Sequence, residues 1–244
     1  MPELPEVETT RKGISTFVTG KIIKNVIIRN DKLRWPIPYE IIKHLKNNQI
    51  VKLKRRAKYL LFETRNGCLI MHLGMSGSLR ITEFNQPFMK HDHVDFVFEE
   101  YILRYNDPRR FGCILWTNHD PLSHKLISHL GPEPLSNEFN YDYLYKVSRK
   151  RSCSIKALIM NHCIVVGIGN IYANEALFLS KINPKHKASK ISKLRYEKLV
   201  FSMKTILSKA IKKGGTTIRD FVNSDGKPGY FSNELKVYNR SGQS

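Results

Sequence analysis

Acidic residues are scarce in this chain. Its 244 residues include 21 Asp and Glu against 41 Lys and Arg, a formal net charge of +20. That deficit disfavours basic partners and favours a polyanion, nucleic acid above all. An anionic membrane surface is the weaker fit, because no strongly basic amphipathic anchor stands out. Long apolar runs are missing as well. Nothing approaches the ~18 consecutive apolar residues of a membrane-spanning helix, and the N-terminus has no apolar core of a secretory signal. The expectation is a soluble, cytoplasmic protein. Cysteine is sparse. Cys68, Cys113, Cys153 and Cys163 form no Cys-x-x-Cys pair, which argues against a zinc site and a disulfide framework and leaves reduced thiols. His91 and His93, in HDH, have no second ligand pair in the sequence, so no metal is predicted. Internal repeats and low-complexity tracts are absent too.

What is present divides in two. Hydrophobic residues make up 41% of the chain, enough for a packed core. The first half reads as strands: KIIKNVIIR (21–29), KYLLFET (58–64), CLIMHL (68–73), VDFVFEE (94–100), YILRY (101–105) and CILWT (113–117) are β-branched or aromatic runs between Gly, Asn and Pro breaks. Two helices interrupt them, one at the N-terminus and one near PYEIIKHLKN (38–47). Beyond LGPEPL (130–135), where Pro132 and Pro134 mark a linker, the pattern turns helical: YDYLYKV, SIKALIMNH, NIYANEALFL and a segment from Ile191 to Lys213 that stops at Gly214-Gly215. The outline is a β-rich half joined to a helical half, with an elongated basic cleft expected between them.

Basic residues cluster at Lys52, Lys54, Arg55, Arg56 and Lys58; at Lys146, Arg149, Lys150 and Arg151; and at Lys185, Lys187, Lys190, Lys193 and Arg195. A single cluster is as well read as a solvated face. Three without compensating acids in the sequence point to a phosphate track. Against this background the acidic tip MPELPEVETT is anomalous. Proline and acids in a first turn are ordinary helix-start signals. A chemical reading also exists. Removal of Met1 exposes the secondary amine of Pro2, which attacks an electrophilic sugar carbon and forms an iminium, with Glu3 beside it as general acid.

Four further stretches carry the same ambiguity. In HLGMSGSL (72–79) two glycines flank Met75, which is either a core methionine or an apolar wedge for the gap left by an extruded base. NDPRRFG (106–112) presents Arg109 and Phe111 on a turn, suited to a surface salt bridge or to stacking and base contact. VVGIGNIYANE (165–175) lacks the third glycine of a dinucleotide loop; its backbone N–H groups and Asn170 are positioned to hold a phosphate, with Lys156 on the preceding helix for a neighbouring one. GGTTIRDFVNSDGKPGYF (214–231) is either a surface loop or a lid closing over a base through Thr216, Thr217 and backbone amides.

Taken jointly and in order, PELPEVE, RRAKYL, HLGMSGSLR, KHDHVD, DPRRFG, LGPEPL, GIGNIYANE and GGTTIRDF…SDGKPGYF resemble bacterial formamidopyrimidine-DNA glycosylase over nearly the whole chain. The resemblance implies an α+β fold: an N-terminal β-sandwich flanked by helices (1–131), a linker (132–138) and a helical domain with a helix–two-turns–helix motif (139–244). It implies a bacterial, nucleoid-associated monomer that excises oxidised purines, 8-oxoguanine and formamidopyrimidines, from damaged double-stranded DNA and then cleaves the abasic site by β,δ-elimination. Pro2, Glu3 and Lys58 match the catalytic positions. His72, Met75, His91, Arg109, Phe111, Arg151, Lys156 and Asn170 match DNA-contacting ones, and Thr216, Thr217, Arg219 and Tyr230 fall in the loop that covers the lesion base.

One departure stands out. The family continues into a four-cysteine zinc finger, whereas this sequence stops at Ser244 with its cysteines elsewhere. No zinc and no other cofactor is therefore predicted. The competing expectation is a catalytically impaired DNA-binding remnant with at most residual abasic lyase activity, and lyase activity is expected to outlast 8-oxoguanine excision.

Overall fold

The computed structural model describes residues 2–216, 231–240 and 242. They divide into two compact units: Pro2, Glu6–Ser128 and Thr216 in the first; Glu3–Pro5, His129–Gly215 and residues 231–240 and 242 in the second. Most of the 214–231 loop, with Thr217, Arg219 and Tyr230, lies outside the described residues.

The first unit holds most of helix α1 (Leu4–Val18), the short helix α2 (Glu40–Leu45) and ten strands: β1 (Ile22–Ile23), β2 (Asn25–Ile28), β3 (Asn48–Gln49), β4 (Lys52–Arg56), β5 (Tyr59–Glu63), β6 (Cys68–His72), β7 (Ser78–Thr82), β8 (Asp92–Val97), β9 (Ile102–Asn106) and β10 (Cys113–Thr117). Two four-stranded antiparallel sheets, ordered β10-β6-β5-β4 and β2-β8-β9-β7, face each other, and β1-β3 forms a small ribbon. Alternate apolar residues of both sheets, such as Leu60, Phe62, Leu69 and Met71 from one and Leu79, Val94, Phe96 and Leu103 from the other, fill the core with Val7 and Ile14 of α1.

Several elements differ from the sequence-based expectation. The run 21–29 is two strands, because Ile22–Ile23 pairs with β3 while Asn25–Ile28 pairs with β8. β4 was expected only as a basic cluster; its single inward apolar residue, Leu53, sits among outward charges. β7 follows the glycine-rich turn and was not among the expected strands. β8 begins two residues early, at Asp92, and ends at Val97.

Asp95 lies on the face of β8 opposite Val94 and Phe96, yet is fully buried. Arg104, its direct partner on β9, grips it with two hydrogen bonds of 2.8 and 3.0 Å, and Arg29 adds a third at 2.6 Å. The carbonyls of Gln86 and Pro87 close over Arg104 at 3.1 Å each.

The second unit is helical: α3 (Tyr141–Ser148), α4 (Ile155–Met160), α5 (Asn170–Leu179) and α6 (Lys193–Lys212). Asn140, Ser154 and Ser192 cap α3, α4 and α6 by accepting from the third backbone N–H beyond them. α6 ends where Gly214 and Gly215 take φ of 75° and 79°. Among the described residues no helix is long and apolar enough to cross a membrane.

Candidate active site

Strand register in the first unit gathers several site residues at one end of the sandwich. Arg56 pairs with Tyr59, Tyr59 with His72, and His72 with Cys113. The Ala57–Lys58 turn, the C-terminal end of β6 and the loop before β10 therefore share one edge. In the facing sheet Ser78 and Asp92 both pair with Asn106. The loops 73–77 and 107–112 cross between the sheets at this end, and His91 enters it just before β8.

Lys58, half-buried, sits second in a two-residue hairpin turn. Ala57 before it has φ of 55°, a conformation usually left to glycine. Arg55 holds the strained turn from below: Nη1 donates to the Ala57 carbonyl at 2.8 Å and Nε to Glu8 at 3.0 Å. Glu8 is shared with Arg11 at 2.7 Å. Burial would raise the Glu8 carboxyl, but Arg11 and Arg55 outweigh it and hold it below the usual range. The basic cluster at 52–58 is thus partly matched by acids, since Lys54 also meets Glu63 at 2.7 Å. This corrects the expectation that it runs uncompensated.

Asp107 is the hub of the loops, and its role was not legible in the sequence. Its carboxylate accepts from Ser76 at 2.6 Å, Tyr105 at 3.1 Å and the Gly112 N–H at 2.9 Å. Burial, then the Asp107 charge, pushes the Tyr105 phenol well above its ordinary range, keeping it a donor. Ser76 Oγ accepts in turn from the Arg109 N–H at 3.1 Å, while the Asp107 carbonyl meets His93 Nε2 at 2.8 Å and its N–H bonds the His91 carbonyl at 3.1 Å. A side chain at Gly112 would collide with the Tyr105 hydroxyl and the His72 carbonyl. One buried carboxylate thereby fixes the turn carrying half-buried Met75 against the turn carrying Arg109 and Phe111. Phe111 is 47% exposed, and the Arg109 guanidinium lies 5.0 Å from its ring centroid. His93 is tied to this hub, and the HDH stretch provides no ligand cluster among the described residues.

His72 accepts the Gly74 N–H on Nδ1 at 2.9 Å. Burial first, then the Lys58 and Arg34 charges, pushes its pKa down to about 4. The ring is neutral at pH 7, with its proton on Nε2.

In the second unit the Glu3 carboxylate sits on the N-terminus of α5. It accepts from the N–H groups of Gly169 at 2.6 Å, Ile171 at 2.9 Å and Tyr172 at 3.4 Å. The helix dipole and these donors favour its charged form. A Cβ on Gly169 would lie 2.5 Å from the Glu3 carboxyl carbon, so only glycine permits this approach. The expected phosphate site on these amides is corrected accordingly: Glu3 takes them. Asn170 stays exposed at the first position of α5, Lys156 is half-buried on α4, and Arg151 is exposed ahead of it. Arg149 of the same basic cluster is structural, with its guanidinium 4.0 Å from the Tyr145 ring centroid and donating to the Ala188 and Ile191 carbonyls.

Pro2 is buried in the first unit, two residues before α1. Thr216 donates its N–H and its hydroxyl to Glu6 Oε1, both at 2.9 Å. Glu175, also unforeseen, is buried on α5 and accepts the N–H groups of Lys236, Val237 and Tyr238 at 2.8–2.9 Å. Among the described residues the one metal-competent group is His129, His162 and Cys163.

Family models match along the chain: the formamidopyrimidine-DNA glycosylase N-terminal domain over residues 1–114 and the H2TH domain of the same enzyme over residues 130–222. The formamidopyrimidine-DNA glycosylase of Saccharophagus degradans is 56% identical over 244 residues, covering 100% of this chain and 90% of the relative. That of Marinobacter nauticus is 55% identical, covering 99% and 90%. Among solved structures, the complex of the Lactococcus lactis G226P mutant with Fapy-dG DNA superposes with a TM-score of 0.90 at 34% identity, covering 97% of this chain and 88% of that one. The complex of the Lactococcus lactis enzyme with abasic-site DNA gives the same TM-score, 0.90, at 34% identity and the same coverage, 97% and 88%.

Proposed function

This chain belongs to the formamidopyrimidine-DNA glycosylase family, and from that premise we propose that it excises oxidised purines, 8-oxoguanine and formamidopyrimidines, from duplex DNA and then cleaves the abasic site. The mature Pro2 nitrogen attacks C1′ of the damaged nucleotide. The glycosidic bond breaks, the proton that the attacking nitrogen sheds ends on the departing base, and an iminium joins protein to sugar as the ring opens. Loss of a C2′ proton expels the 3′ phosphate; loss of a C4′ proton then expels the 5′ phosphate.

The observation that carries this reading is the Glu3 carboxylate clamped on the α5 N-terminus. Glu3 is the residue that directly follows Pro2 in the chain. It accepts the ammonium proton, which frees the amine to attack, and returns the proton to the sugar ring oxygen as the ring opens. Lys58, on its strained turn, assists the eliminations and holds the phosphate beside the lesion. Neutral His72 offers Nε2–H to a phosphate oxygen as a hydrogen-bond donor rather than a charge. His91, Arg151, Lys156 and Asn170 hold further phosphates. Met75 and Phe111 fill the space left by the extruded base while Arg109 contacts its former partner. This chemistry draws on the chain's own groups and needs no cofactor.

Borohydride trapping on an 8-oxoguanine duplex tests the proposal, with the N-terminal mass measured on the same preparation. Protein lacking Met1 is expected to give a covalent adduct that Pro2→Gly loses. Glu3→Gln is expected to bind DNA and lose ~100-fold or more in excision. Strand cleavage by material that retains Met1 would sink the mechanism.

A further inference from the structure

His129 lies more than thirty positions before the adjacent pair His162 and Cys163, and none of the three belongs to the residues assigned to the reaction. The fold of the second unit brings their donor atoms to within 4.8 Å of one another. The two segments are paired by backbone. The Gly131 N–H donates to the His162 carbonyl at 2.9 Å and the Val166 N–H to the Pro132 carbonyl at 3.2 Å. Gly131 also packs so closely that an added Cβ would lie 2.7 Å from the Cys163 carbonyl oxygen. The Asn161 side chain fixes the turn by accepting from the Cys163 N–H at 2.9 Å. The His129 and His162 rings sit 5.3 Å apart, centroid to centroid, at 76°.

We propose that these three side chains form a binding site for a borderline or soft divalent transition metal, zinc the reference case, with water in the fourth position. Two imidazoles and a thiolate suit such ions, and the absence of oxygen donors from the set disfavours magnesium and calcium. Tetrahedral bonds of ~2.0–2.3 Å place neighbouring donors about 3.5 Å apart. Closing from 4.8 Å takes side-chain displacements of about 1 Å, and all three residues are exposed. On binding, the Cys163 thiol bond to hydrogen breaks, the Sγ–metal bond forms and the proton goes to solvent. The ion would tie residue 129 to the turn that leads into Gly167–Gly169, the backbone that carries Glu3.

Cobalt(II) is the probe. The 244-residue chain, stripped with a chelator and kept reduced, is titrated with cobalt and followed by absorption; zinc is then added in competition. The expected result is one equivalent bound with a thiolate-to-cobalt charge-transfer band, displaced by zinc. Cys163→Ser should abolish the band. His129→Ala and His162→Ala should each weaken binding by more than ~10-fold, since even an outer-shell loss costs 10–100-fold. Cys153→Ser should change nothing. The proposal is overturned if no thiolate band appears, if Cys163→Ser keeps it, or if it follows Cys153. Circular dichroism of each variant confirms the fold, and the readout is independent of DNA cleavage.

Discussion

The first unit grips some buried carboxylates with guanidinium groups, beside the uncharged donors that hold Asp107, whereas the second holds Glu175 with backbone N–H groups. In the first, Asp95 is gripped by Arg104 and Arg29, and Asp92 by Arg80 at 2.5 Å. In the second, Glu3 and Glu175 each receive three backbone N–H groups. Guanidinium groups committed to internal acids cannot also hold phosphates. The first unit therefore commits Arg29, Arg80 and Arg104 to its own architecture. The amides that hold Glu175 carry no charge, and the second unit leaves Lys150, Arg151 and Lys156 unpaired with any acid among the described residues. Net charge alone conceals this division.

The largest effect should come from Asp95→Ala. Arg104 is 3% exposed and would be left buried without its bidentate partner. Breaking such a pair costs about 3–5 kcal/mol, read as a drop in the urea midpoint at unchanged slope. A loss below ~1 kcal/mol would break the contrast between the units. The pair also sets an acid limb. Burial alone would raise the Asp95 carboxyl, but Arg29 and Arg104 outweigh it and hold it below its ordinary 3.8. A depressed folded pKa contributes stability above the unfolded value that is lost as pH falls through the folded one. Wild-type stability should fall steeply below pH ~4, and Asp95→Asn should flatten that limb.

Glu175→Gln probes the other device. Its amide keeps one acceptor but sets an NH2 against backbone donors, at a cost of about 1.5–3 kcal/mol. The loss should be local: hydrogen exchange at Lys236, Val237 and Tyr238 should quicken while the urea midpoint moves less than for Asp95→Ala. Equal global destabilisation by the two variants would mean the carboxylates play the same part.

Sequence patterning revealed elements whose signal is local. β5, β6 and β10 are unbroken apolar runs, and α6 is bracketed by Ser192 and Gly214-Gly215. β4 escaped because charges flank its one core residue, Leu53. The tip residues Pro2 and Glu3 stood out by composition, but what Glu3 touches did not, because its partners lie more than 160 positions away. Asp107 read as a turn former; that it joins two loops depends on Ser76 and Gly112. Glu175 and the His129–His162–Cys163 group were hidden for the same reason. Side-chain type is local information, whereas partnership depends on chain crossings that no single-sequence period encodes.

The smallest effect separates cations already matched from those that are not. Lys54 meets Glu63 at 2.7 Å, with side-chain exposures of 45% and 24%. As a partly exposed pair it should contribute under ~1 kcal/mol to stability. Because Glu63 already balances its charge, Lys54→Gln should leave the salt dependence of DNA binding unchanged. Lys156 makes no ion pair among the described residues, so Lys156→Gln should lower the magnitude of the log–log salt slope by about one and weaken binding to damaged and undamaged duplexes alike. Fluorescence anisotropy over a salt series measures both. A slope change at Lys54 as large as at Lys156 would mean that DNA displaces Glu63 from its lysine, and that the internal acids of the first unit do not withhold its cations from phosphate.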